Sequence, residues 1–486
     1  MKTLKQIPLF CMILSSIILL LSACSSQKKQ DFATIKKIYN PSAQHHDADL
    51  VPVIVIPGIL GSNLLNTDTN QVAWGAFHGD FLKPSSPEGT KALSVTPKKG
   101  VALNHLKTPL IPNGALKKVE FKAFGLPIQA KAYASIMQTL GVGGFRDDSI
   151  NYKNNLNYGK DHFTCFQFDY DWRYSSSYNA VKLHEFIEAK KRYIRAEIKK
   201  RYGVDRKEIK FNIVAHSMGG LVARYYARYG TQSLPEKGLP KLNWAGAKNI
   251  NKLFLVATPN SGSILSLEDL IQGKELAPGW TKHIPGITLG YYPPEILGTY
   301  PAVYELMARK RHHVLVDPKG KQIDPLDYQV WKKYKWGLAG ADTEILKNVI
   351  SQDSTKEELN DIAHDHLKKC LHNASQFQKA LDRPATHKPE HLKLNLYVGD
   401  GFYTVSRLMV DEQTSGVKRN DFGLGDETVL RSSVLADENV VNKVDNPKVH
   451  SPIPYDNARF LFKKHIDITK DVNFADNLLF ELLQRD

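Results

Sequence analysis

One passage limits this chain more than anything else in its 486 residues. Ile209-Lys-Phe-Asn-Ile-Val214 reads as a buried strand, Ala215-His-Ser-Met-Gly-Gly220 as a sharp turn, and Leu221-Val-Ala-Arg-Tyr-Tyr226 as a helix. A strand that feeds straight into a helix belongs to a mostly parallel sheet, because the helix must cross back over one face. The turn must be tight to thrust Ser217 clear of the sheet, so its flanking positions take small residues. Ala215 stands where glycine is usual, and its single methyl is small enough to qualify. The plainer reading, a structural serine in a turn, has no need of this strand and helix.

The same rhythm runs along most of the chain. Val51–Ile56, Phe163–Tyr170, Leu253–Ala257 and Leu394–Val398 read as short buried strands. Residues 181–202 form an amphipathic helix, with Leu183, Phe186, Ile187, Ile194 and Ile198 on one stripe. Phe474–Leu483 reads as a closing helix. Two stretches, about 65–125 and about 262–390, lack the alternation and are rich in Pro, Gly and Trp. Loops that long are implausible in a compact domain, so they are expected to be insertions: a lid or membrane-facing element, then a cap. The expectation is one α/β-hydrolase domain over residues 50–486, a mostly parallel sheet flanked by helices.

An exposed serine is a weak nucleophile until a base takes its proton and an acid orients that base. In this fold class the acid precedes the histidine in the chain. Asp426 sits in the loop Gly425-Asp-Glu-Thr-Val429, and His465 in Lys464-His-Ile-Asp-Ile468 just before the closing helix. Asp400, in Gly399-Asp-Gly401, competes as the acid, and His450 competes as the base. Stabilising a developing oxyanion takes two backbone N–H groups. The loop Pro57-Gly-Ile-Leu-Gly-Ser62 offers Ile59, and the turn offers Met218.

Residues 1–23 read as an export signal: Lys2 and Lys5, the short apolar run Pro8–Leu21, then small residues before Cys24. The run falls short of the roughly 20 residues that span a bilayer. Leu21-Ser-Ala-Cys24 resembles a lipobox, which makes Cys24 an acylated first residue. Residues 24–49 then form a flexible tether, with Ser25 rather than Asp favouring a bacterial outer membrane or cell surface. The net charge is +15, or +13 without Lys2 and Lys5. The cations are scattered and match no nucleic-acid module, so a membrane surface is the expected partner. After processing, only Cys165 and Cys370 could pair, which is no disulfide scaffold. His364, His366, Cys370 and His372 hint at a metal, but no second cluster completes a tetrahedral set, and neither metal nor cofactor is expected. The oligomeric state stays open.

Taken in order, these motifs resemble the lecithin:cholesterol acyltransferase family, with its lysosomal phospholipase A and phospholipid:diacylglycerol acyltransferase relatives. The resemblance rests on Pro57–Ser62, Tyr170-Asp-Trp-Arg173, Ala215–Gly220, Ala257-Thr-Pro259 with Gly262-Ser263, Gly425–Val429 and His465-Ile-Asp-Ile468. Tyr300–Leu306, Trp331 and Trp336-Gly337 look like bacterial members. It implies a serine-dependent lipase, phospholipase or O-acyltransferase with Ser217, Asp426 and His465 as its triad, acting on a lipid or phospholipid. Tyr170–Arg173 is expected to be structural, with Trp172 packing and Arg173 fixing a nearby loop. The central insertion departs from the family's pattern, so the substrate does not transfer. Two readings compete. A serine peptidase would share the triad without sharing the family motifs. A non-catalytic surface lipoprotein would use the fold for binding, although here every catalytic position is filled.

Overall fold

Six segments pair, all in parallel, into one central sheet, five of them largely apolar and the edge strand Asn457–Leu461 mixed. They are β1 (Val53–Ile56), β2 (Cys165–Gln167), β3 (Phe211–His216), β4 (Ile250–Val256), β5 (Lys393–Gly399) and β6 (Asn457–Leu461), lying in the order β6-β5-β4-β3-β1-β2. The computed structural model describes residues 31–45, 47–75, 82–115, 118–123, 126–131, 133–148, 162–275, 291–385, 387–436 and 451–484. Lys2, Lys5, Cys24 and His450 lie outside the described residues.

Strand alternation divides the core in two. Val53, Val55, Val214, Phe254, Val256 and Tyr397 face one side. There they meet Ile136 and Leu140 of a helix at Ala134–Val142, and Phe474 and Leu478 of the closing helix Val472–Leu483. Ile54, Ile56, Ile213, Ala215, Leu253 and Leu255 face the other side. Leu183, Ile187 and Ile194 of the helix Ser176–Tyr202 cover them, with the wholly buried helix Met218–Tyr229. Sheet residues buried on both faces explain why the strands read as continuous apolar runs. In chain order these helices are α2 (Ala134–Val142), α3 (Ser176–Tyr202), α4 (Met218–Tyr229) and α6 (Val472–Leu483), with α1 (Phe32–Gln44) before them and α5 (Lys356–Asp382) between the last two.

The expected tether differs from what is found. Phe32–Gln44 is helix α1, capped by Asp31, whose side chain accepts from the Thr34 N–H. Ile35 and Tyr39 are buried against Ala475 and Leu479 of α6, and the Tyr39 hydroxyl donates to Asp476 Oδ1 at 2.8 Å. An apolar residue every fourth position was enough to dock a segment whose composition is otherwise polar.

The first insertion holds a three-stranded antiparallel sheet (Ser62–Asn66, Gln71–Trp74, Leu110–Ala115), a short helix at Pro87–Leu93 and a hairpin of Lys118–Ala123 with Leu126–Lys131. Arg173 ties it to the sheet. Its buried guanidinium pairs with Asp171, and it donates to the Leu93 carbonyl (2.9 Å) and the Thr108 hydroxyl (3.2 Å). The second insertion is mainly helical. Its longest helix, α5, opens with a capping box of Thr355 and Glu358. The cap also takes in more chain than the expected limit near 390. A hairpin of Phe402–Val410 with Val417–Gly425 follows β5, and its first strand pairs with Leu315–Val316 inside the cap. Among the described residues no helix is long and apolar enough to cross a membrane.

Candidate active site

Ser217 occupies the turn between β3 and α4 with φ 53° and ψ −128°, a conformation costing a non-glycine residue about 1–3 kcal/mol. The surroundings hold it there. Its N–H donates to the Val256 carbonyl at 2.8 Å, and its own carbonyl accepts from Gly220 at 3.0 Å. The two glycines after it are required by close approach. A Cβ on Gly219 would sit 2.4 Å from the Pro57 oxygen, and one on Gly220 only 1.9 Å from the Thr258 hydroxyl. Ala215 keeps its methyl because it is an ordinary strand residue here, paired with Ile56 and Leu255 and pointing into the core.

His465 and Asp426 arrive from two loops at the same edge of the sheet. His465 Nε2 lies 2.9 Å from Ser217 Oγ, and His465 Nδ1 lies 2.8 Å from Asp426 Oδ2. The other oxygen of Asp426 accepts the N–H groups of Thr428 (3.0 Å) and Val429 (2.7 Å). The backbone joins the same arrangement, since the His465 N–H donates to the Asp426 carbonyl at 3.0 Å. Gly399, at the end of β5, leaves room for Asp426, whose Cβ lies 2.5 Å from where a side chain would begin. With Nδ1–H donated to the carboxylate, Nε2 is the nitrogen that faces the Ser217 hydroxyl.

The rivals are placed elsewhere. Asp400 Oδ2 accepts from Arg431 at 2.6 Å, and its Oδ1 takes the Gly401 N–H at 2.8 Å. His450 lies outside the described residues. Ile59 and Met218 follow the two residues that touch across the site: a Cβ on Gly58 would lie 2.8 Å from Ser217 Cβ. Among the described residues neither the Ile59 nor the Met218 N–H donates to a protein acceptor. The positive φ of Leu60 (62°) and the Gly61 N–H to Gly58 carbonyl bond (3.1 Å) set the turn that presents Ile59.

Two side chains that the sequence reading passed over brace this geometry. The Gly58 N–H donates to the Tyr133 hydroxyl at 2.8 Å, and that hydroxyl lies 3.3 Å from His216 Nδ1. On the far side of the ring, His216 Nε2 lies 3.1 Å from the His465 carbonyl. Burial pushes the Tyr133 hydroxyl up to about 12, so it stays protonated and can donate to His216. Burial, reinforced by the nearby His465, lowers His216 to about 3 and keeps it neutral. The Pro57–Ser62 loop and the loop carrying His465 are thus joined through two neutral rings. His216 was visible beside Ser217, but nothing local to Tyr133 marks it, because it reaches the site from the N-cap position of α2.

The histidines of the cap do not converge. His366 Nε2 lies 3.2 Å from the Thr299 carbonyl and 3.3 Å from Cys370 Sγ, one turn on along α5. His364 meets the Tyr328 hydroxyl, and His372 the Glu236 carbonyl. Among the described residues no three His, Cys, Asp or Glu side chains are grouped to hold a metal ion. Cys165 and Cys370 are separate buried thiols. A surface cavity of about 910 Å³, lined by Arg309, Tyr328, Lys368 and Arg383 among others, includes no triad residue.

Residues 147–405 match the sequence model of the family described as lecithin:cholesterol acyltransferase. The match takes in Ser217 and ends before Asp426 and His465. No curated protein sequence matches the chain. Among solved structures, a chain of the crystal structure of the Tle4-Tli4 complex superimposes with a TM-score of 0.53 at 16% identity, covering 89% of this chain and 98% of that one. That likeness is one of fold. Phospholipase PlaB from Legionella pneumophila aligns at a TM-score of 0.28 and 13% identity over 73% of this chain and 57% of its own, too low to indicate a common fold.

Proposed function

The chain belongs to the lecithin:cholesterol acyltransferase family, enzymes of lipid acyl esters, and from that premise we propose that Ser217 is the nucleophile of a serine-dependent lipid hydrolase or O-acyltransferase. Ser217 Oγ attacks the ester carbonyl while His465 Nε2 takes its proton. Asp426 holds the imidazole in the required tautomer and stabilises the imidazolium that forms. The Ile59 and Met218 N–H groups receive the oxyanion, at the positive end of helix α4. When the tetrahedral intermediate collapses, His465 returns its proton to the leaving alcohol, and the acyl group remains on Ser217. Water or a second alcohol then attacks the acyl-enzyme, with His465 again as base.

The observation that carries this reading is the unbroken line from Ser217 Oγ through His465 to Asp426, at 2.9 and 2.8 Å. Ser217→Ala should abolish fluorophosphonate labelling and fatty-acid release while the protein stays folded; full labelling of that variant would remove Ser217 from the mechanism. Incubating the enzyme with mixed phospholipid and sterol vesicles, followed by lipid mass spectrometry, distinguishes the two acceptors. Free fatty acid alone means water, and a new ester means an alcohol. Export and acylation at Cys24 complete the proposal. Cys24→Ala should release the enzyme from membranes, and retention after high-salt washing would mean that something other than acylation holds it.

A further inference from the structure

Exposed apolar side chains are unevenly distributed. Of the eleven large hydrophobic residues exposed among the described residues, six come from two short segments: Tyr403, Phe422 and Leu424, then Phe460, Phe462 and Ile466. Scattered exposure is ordinary, whereas a contiguous patch marks a contact surface. The two segments meet. Tyr403 and Leu424 are cross-strand partners at the open end of the hairpin. Phe462 rests on Gly401 in the turn leading to that hairpin, where a Cβ would lie 2.4 Å from its ring. Lys464 bridges the segments, pairing with Glu427 at 2.8 Å and lying over the Phe402 ring. Tyr403 is 83% and Phe462 76% exposed, so neither is simply a core residue at the margin.

The patch frames the active site. Leu424 stands two residues before Asp426, and Ile466 directly follows His465. The amino-terminal chain also points to this side. Ala43 lies against Gly144, while the neighbouring Gly143 abuts Leu479 of α6. Tyr39, one turn earlier in α1, bonds to Asp476, almost one turn earlier in α6. The two helices therefore run in the same direction. The start of α1 lies at the end of α6 that follows His465. Six residues lie between Cys24 and Asp31, and the seven steps from one to the other reach at most about 25 Å.

We infer that the face formed by the Phe402–Gly425 hairpin and the 460–466 loop docks onto a lipid bilayer and presents Ser217 to it. This inference rests on the lipid-ester reading above. The bilayer, rather than a protein partner, is the occupant because the acylated end of the chain is tethered within reach of this same face. A tether alone sets no orientation, and an apolar face too small to hold the protein by itself sets which side meets the lipid. The attraction is apolar and not electrostatic. Although the chain carries +15 overall, residues 400–436 and 459–471 hold eight Lys and Arg against eight Asp and Glu.

The test uses the full chain on vesicles of phosphatidylcholine containing a diazirine-bearing phosphatidylcholine. After photolysis, label should concentrate on peptides 402–424 and 460–466, and should do so equally at low and high salt. Label spread evenly, or lost at high salt, overturns the inference. In a second arm, Tyr403→Ser, Phe422→Ser and Phe462→Ser are combined. Turnover of a dissolved short-chain ester should stay within about twofold, which also shows the variant is folded, while turnover of vesicle lipid falls at least about tenfold. Unchanged vesicle turnover overturns it. If the unmodified enzyme cleaves neither ester, the lipid-ester reading fails, and the labelling pattern alone decides the docking face.

Discussion

Asp400 and Asp426 stand over the same end of β5, and they are put to different uses. Asp400 gives one oxygen to Arg431 and the other to the Gly401 N–H, and neither faces a histidine. Asp426 spends one oxygen on two backbone N–H groups and keeps the other for His465. A nearby pair of histidines shows the same division. The His216 and His465 ring centroids are 4.9 Å apart. Both nitrogens of His216 face fixed partners, whereas one nitrogen of His465 faces Ser217. What separates the members of each pair is the partner that each oxygen or ring nitrogen faces, more than residue type or distance from Ser217.

The sharpest way to break that comparison is to exchange the acids. Asp426→Asn should lower kcat by about 10⁴, because the imidazole loses its productive tautomer, and Asp400→Asn by less than about tenfold. Kinetics of the two purified variants decide it, and an indispensable Asp400 would reverse the assignment. The histidines come next. His465→Ala should cost at least about 10³ in kcat and add little in combination with Asp426→Asn, since the triad acts as a unit. His216→Asn should cost only about 10- to 100-fold, through a misplaced His465 loop, and His450→Ala less than about tenfold. Equal losses at 216 and 465 would contradict the division of labour.

Smaller effects sharpen the picture. Tyr133→Phe leaves the buried Gly58 N–H without its acceptor, an expense of about 1–3 kcal/mol that should appear as a roughly tenfold lower kcat with little change in KM. An unaltered kcat would mean the oxyanion loop holds its shape unaided. The least visible consequence concerns pH. His216, lowered to about 3, and His366, lowered to about 4, both by burial, stay neutral in the folded protein. Once unfolded they take up protons below about 6.5. Their contribution to stability is therefore present above 6.5 and is lost as pH falls through the window towards 4 and 3. His366→Gln should flatten the fall in denaturation midpoint between pH 6 and 4, and an unchanged slope would place the acid sensitivity elsewhere.

The strands and the elbow were legible because their causes are local. Phe211, Ile213, Val214 and Ala215 make a largely apolar run, and the small Ser217, Gly219 and Gly220 after it permit a tight turn. Ser217, Asp426 and His465, which the structure brings together, were picked out by chain order and the resemblance, although Asp400 and Asp426 could not be told apart from spacing. Other features depend on residues far away in the chain. Helix α1 looked like tether because its two buried side chains matter only once α6 lies beneath them. The hairpin between β5 and Asp426 was missed, as its strand partner is Leu315–Val316 in the cap, almost a hundred residues earlier. Tyr133 had no signal at all: its hydroxyl meets Gly58 across 75 residues and His216 across 83. The sequence by itself determined the strand–elbow–helix, the chain order of Ser217, Asp426 and His465, and the family. Which carboxylate faces the imidazole, what braces the oxyanion loop and where the apolar face lies were decided by tertiary packing, because hydrogen-bond valence and exposure belong to the assembled neighbours and not to any one segment.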